Sequence, residues 1–156
     1  MDEQEISREV VRGTLVIALI GAAVTIITLL LLPFPTAATD DMPLTTMPLL
    51  QRIGEQVIKG QVSPVTALDV TAFLGILAAL ACAMVAWLNG SRLALFGLVA
   101  VGALGLAYVA GMSIPFVGPL AGVCGYALIL IGGALGLAVT GDGKDKVEQQ
   151  EKQYAE

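Results

Sequence analysis

Histidine does not occur in the 156 residues. That removes bis-histidine haem ligation, the commonest metal ligand and the usual general base at neutral pH. Cysteine occurs only at Cys82 and Cys124, and two thiolates do not complete a tetrahedral metal site. Charged residues make up 13% of the chain, roughly half the share of an average soluble domain. Lysine and arginine number 8 against 13 acids, for a net charge of −5, so no basic patch for nucleic acid is expected. The tail lysines Lys144, Lys146 and Lys152 alternate with acids, and no lipid-headgroup cluster is read there. The stretch "TGDGKDK" is not a phosphate loop: Ala138 stands where the first glycine would be, and Asp145 follows Lys144 in place of Ser or Thr. No catalytic, cofactor-binding or metal-ligating residues are assigned, and no cofactor is expected. The chain does not read as an enzyme.

Apolar sequence fills the space that charge leaves. Hydrophobic residues make up 56% and the mean hydropathy is +0.85. Four runs of about 20 residues, each long enough to cross a ~30 Å hydrocarbon core as a helix, account for the excess. They cover 13–32, 64–88, 93–112 and 118–139. In lipid the backbone must satisfy its own hydrogen bonds, so helices are expected. The first run is read as a retained helix and not a cleaved leader, because "MDEQEISREVVR" is acidic and the run exceeds a leader's apolar core. The fold class is therefore an all-α membrane protein: a four-transmembrane-helix bundle in a single domain over 1–156. Segments 1–12, 89–92 and 140–156 lie on one side, the last as a flexible tail. Segments 33–63 and 113–117 lie on the other. The first side carries Arg8, Arg12, Arg92, Lys144, Lys146 and Lys152, the second only Arg52 and Lys59. The positive-inside rule then puts both termini in the cytoplasm of a multi-pass cell-membrane protein.

The long extracytoplasmic loop is expected to hold an amphipathic helix over about 47–59. Leu49, Leu50, Ile53 and Val57 form its apolar face, with Gln51, Arg52, Glu55, Gln56 and Lys59 opposite. Thr45 or Thr46 would cap its start and Gly60 would suit its exit. Such a helix either closes the bundle along the membrane surface or docks a partner protein. Ser63 is expected to cap the second span. Asp69, the sole Asp, Glu, Lys, Arg or His within the four runs, sits at an end and reads as an interfacial anchor or helix-start charge. Phe34, Tyr108 and Phe116 are assigned to the outer interface, Trp87 and Phe96 to the inner one.

Small residues four apart recur in every span and allow close backbone approach where lipid offers no hydrophobic gain. The packing candidates are Gly75, Ala79 and Ala83 in the second span and Gly118, Gly122, Gly125, Gly132 and Gly136 in the fourth. Ala103, Ala107 and Gly111 form a row in the third, and Thr14, Ala18 and Ala22 in the first. With two glycine-rich faces, the fourth span could serve the bundle with one and a second copy with the other. Cys82 and Cys124 lie ~15 Å apart in depth by helix rise, beyond disulfide reach, and both read as buried small residues. The expected role is a non-catalytic accessory, assembly or scaffold subunit of a membrane complex. Its partners would be membrane lipids and a membrane protein or a second copy. The alternative is a passive channel or carrier for a small neutral solute, lined by the glycine seams, Thr25, Thr28 and Tyr126.

Overall fold

The computed structural model describes residues 3–35, 46–60, 64–111 and 117–154. Five helices appear among them: α1 (Glu3–Leu31), α2 (Leu49–Ile58), α3 (Pro64–Asn89), α4 (Arg92–Ala110) and α5 (Val117–Tyr154). Four of these are long and apolar enough to cross a membrane, over Arg8–Leu31, Ala67–Asn89, Arg92–Ala110 and Gly118–Thr140. Helix α5 continues beyond its apolar part to Tyr154, through the stretch that the sequence suggested as a helix exit. Good helix formers in "KVEQQEKQ" offset the glycines before them.

The four long helices form a ring in the order α1, α3, α4, α5, with each antiparallel to its neighbours. Contact is closest between α1 and α5 and between α4 and α5. Glycine is the reason. A methyl group at Gly132 of α5 would lie 2.7 Å from the Ala18 amide nitrogen and 2.8 Å from the Thr14 carbonyl oxygen of α1. At Gly21 of α1 it would lie 2.7 Å from the Gly125 carbonyl oxygen. On the neighbouring face of α5, Leu130 sits over Gly102 of α4, and the Tyr126 ring fills the notch left by Gly105. Both small-residue faces of α5 thus meet helices of the same chain, one α1 and the other α4.

On α4 the buried row is Leu98, Gly102, Gly105 and Val109, whereas Ala103, Ala107 and Gly111 are exposed. The sequence row was displaced because small size alone does not tell a seam from a lipid-facing surface. Two threonine hydroxyls on α1 bond back to their own helix. Thr14 Oγ1 donates to the Val11 carbonyl and Thr25 Oγ1 to the Gly21 carbonyl, each at 2.8 Å. Among the described residues no buried side-chain nitrogen or oxygen lacks a partner.

Two short strands interrupt the helical plan. β1 (Pro33–Pro35) pairs antiparallel with β2 (Thr46–Pro48), matching Phe34 with Met47. This ribbon brings α2 back onto the bundle and buries Phe34 completely, so Phe34 is a core residue and not an interfacial aromatic. Thr46 lies in β2, and the N-cap of α2 is Pro48, without a side-chain cap. Gly60, at φ 66°, closes the helix. Thr45, Ser63 and Phe116 lie outside the described residues.

Candidate functional site: a buried ion pair beside an apolar cavity

Helix α2 carries three faces. Leu49 and Arg52 are buried against the bundle, with Ile53 half-buried beside them. Gln51, Glu55 and Lys59 form a polar strip, where Gln51 Nε2 donates to Glu55 Oε1 at 3.2 Å and Lys59 pairs with Glu55 at 3.9 Å. Leu50, Val57 and Ile58 point outward and are 53, 58 and 87% exposed. The four apolar positions read from the sequence therefore divide between two directions: Leu49 and Ile53 inward, Leu50 and Val57 outward.

The inward face is organised by charge. Arg52 makes a bidentate contact with Asp69 of α3, from Nε to Oδ2 at 2.8 Å and from Nη2 to Oδ1 at 2.7 Å. The Tyr108 hydroxyl of α4 donates to the same Oδ1 at 2.6 Å. The ion pair is withdrawn from solvent, with side-chain exposures of 6% for Arg52 and 1% for Asp69. A carboxylate left alone in such a place would face a desolvation penalty of several kcal/mol. The guanidinium fork supplies the opposite charge in matching planar geometry, and the phenol takes a further lone pair. Asp69, five residues past Pro64 at the start of α3, is thus the partner of a buried ion pair, a role that its reading as an interfacial anchor or helix-start charge did not include. Three elements far apart in sequence meet at one oxygen.

Directly beside this cluster is an apolar cavity of about 230 Å³ between α3 and α4. Ala72 and Gly75 of α3 and Val101 and Gly105 of α4 form its walls, and Tyr108 and Tyr126 close it. Gly75 is not in tight helix contact: a methyl group there would meet only Val101 Cγ1, at 3.8 Å. Further along, the same helix pair closes up, with Cys82 Sγ 2.7 Å from the position of a methyl at Gly97. The Tyr126 hydroxyl lies 3.5 Å from the Ala72 carbonyl oxygen, at the outer limit of a hydrogen bond.

The other packing candidates sit as follows. Ala79 and Ala83 are buried on α3, and Gly118, Gly122, Gly125, Gly132 and Gly136 are buried on α5. Gly122 abuts Val109, Gly125 abuts Thr25, and Gly136 abuts Leu95 and Thr14. Cys82 and Cys124 are both free thiols, but Cys124 is exposed on the outer surface of α5, contrary to its reading as buried. Small size again gave no information about direction.

Sequence reasoning missed the Arg52–Asp69–Tyr108 cluster by assigning Arg52 to a polar face. The signal was present in two facts taken together. Asp69 lies five residues past Pro64, at the head of an apolar run, and the preceding loop holds just two cations, Arg52 and Lys59. Only Arg52 falls three residues after Leu49 and one before Ile53, on their side of the helix.

The fold and cluster define a membrane-type helical bundle with an ion-paired accessory helix. No family matches the sequence, no curated protein matches it, and no solved structure matches its fold.

Proposed function

We propose that the protein is a non-catalytic accessory or assembly subunit of a membrane complex, with α2 as its contact element. The observation that carries this reading is the contrast between the two sides of α2. One side is held by a buried bidentate ion pair, while the other presents Leu50, Val57 and Ile58 to the surroundings. A rigidly held helix with an apolar outer face suits recognition, since little ordering cost is left to meet on binding. The excess of arginine and lysine on the side of the termini supports a cytoplasmic location for both, with α2 on the opposite surface.

A channel receives less support. Thr25 turns its hydroxyl to its own backbone, and the small-residue seams are filled by neighbouring helices.

Native mass spectrometry of the complex, extracted from its own membrane in mild detergent, tests the proposal. The expected result is a stoichiometric second subunit that is lost from L50S/V57S/I58S while the variant keeps its helical content and melting temperature. A monomer that conducts a neutral solute in proteoliposomes would overturn it in favour of the channel.

A further inference from the structure

At the opposite end of the bundle from α2, the structure gathers cations that the sequence scatters. Arg8 and Arg12 lie one turn apart on α1 and line a pocket of about 310 Å³ with Trp87 and Asn89 of α3 and Thr140 of α5. The Arg12 guanidinium carbon stands 5.7 Å from the centre of the Trp87 ring, a cation–π distance that fixes the head of a long side chain. Among the described residues neither arginine joins a salt bridge, and Glu9, between them in sequence, does not line the pocket.

Other polar groups here are already engaged. Arg92 donates to the Thr140 carbonyl at 2.6 Å, the Thr140 hydroxyl bonds to Gly136 and Leu137, and the Gly90 amide bonds to Ala86. Among the described residues, the donors left for a ligand are the two guanidiniums and the Asn89 amide. Helix α3 ends at the pocket, and its C-terminal dipole contributes about half a negative charge, which the two full positive charges exceed.

We infer that this pocket binds the phosphate of an anionic phospholipid. The chemistry selects phosphate because guanidinium presents a planar fork of donors to phosphate oxygens. The place selects a lipid as its source: the pocket lies where the membrane-crossing parts of α1 and α3 end. Trp87 is 41% exposed and Leu88 74% exposed beside it, giving a headgroup-level aromatic and an apolar flank for the first part of an acyl chain. Basic pockets between membrane helices are an established means of headgroup capture. The site is independent of the role proposed for α2.

Trp87 is the only tryptophan in the chain, so its fluorescence reports on the pocket alone. The full chain is reconstituted in phosphatidylcholine vesicles containing a minor fraction of brominated lipid, either phosphatidylglycerol or phosphatidylcholine. The expected result is stronger quenching by the anionic lipid, with a preference of roughly 5-fold per arginine and about 25-fold for both. R8Q/R12Q should abolish the preference with helical content and melting temperature unchanged, and R8K/R12K, which keeps the charges but not the fork, should fall between it and wild type. Equal quenching by the two lipids, or a preference unchanged in R8Q/R12Q, would overturn the inference. A preference eliminated by inorganic phosphate, together with an emission shift by phosphate alone in detergent, would overturn the lipid as source in favour of the free ion.

Discussion

Replacing Asp69 by asparagine preserves shape and removes one charge from the α2–α3–α4 junction. Arg52, with 6% of its side chain exposed, then loses its bidentate carboxylate, and removing one partner of a buried ion pair costs about 3–5 kcal/mol. The apolar hold on α2 is of similar size. Leu49 is 1% exposed and Ile53 half-buried, together about 3–4 kcal/mol at the usual value for burying such side chains. The glycine-mediated contacts of α5 with α1 and α4 do not involve Arg52, so relief should come through release of α2 and not through melting of the bundle. Limited trypsinolysis after Lys59 measures that release, because cleavage follows the open population when closing is fast. At tenfold per 1.4 kcal/mol, D69N should be cut roughly 100-fold faster or more, with its bundle melting point little changed. Replacing the three side chains together by apolar ones, as R52M/D69L/Y108F, removes the carboxylate, the guanidinium and the phenol hydroxyl at once and should restore protection. Wild-type protection in D69N, or a triple variant as labile as D69N, would refute the reasoning.

Other outcomes follow from the same geometry. G132A should lower stability by about 1–3 kcal/mol, since its methyl would press on the α1 backbone 2.7 Å away. G75A, whose methyl meets only Val101 at 3.8 Å, should be neutral or better; thermal melts in detergent separate the two. Y108F removes a 2.6 Å bond to a charged carboxylate and should cost about 1.5–3 kcal/mol. Y126F gives up only a 3.5 Å contact and should stay within about 0.5 kcal/mol of wild type, whereas Y126A empties the notch over Gly105 and should cost about 3–5 kcal/mol. N-ethylmaleimide in detergent should modify the exposed Cys124 before Cys82, which lies half-buried against Gly97, as mass spectrometry of peptides would show.

Length and charge made the four long helices legible, because a run of apolar residues in lipid has a single backbone solution. Which face of each helix turns inward was legible only in part. Thr14, Ala18 and Ala22 are buried together on α1, but the small residues chosen on α4 face outward. An alanine suits a tight seam and a lipid-facing surface equally, so composition alone leaves the rotation of the helix open. The short ribbon of β1 and β2 escaped for another reason: proline reads as irregular, yet these strands are two-stranded edges that can omit a ladder bond. The ion pair escaped because its members are 17 residues apart on different helices. A carboxylate at the head of an apolar run needs a cation, and the preceding loop offers only Arg52 and Lys59.

The position of α5 has a consequence for biogenesis. It leaves the ribosome after α1, α3 and α4, yet it supplies the surface against which both α1 and α4 close. Until it inserts, the polar backbone strip along Thr14, Ala18 and Gly21 of α1 has no mate, and neither does the Gly102–Gly105 notch of α4. The hairpin of α3 and α4 can assemble during synthesis, while α1 must wait in the bilayer for α5. A chain that stops short of α5 therefore displays two unmatched seams at once, a state open to membrane chaperones and proteases and distinct from the finished bundle.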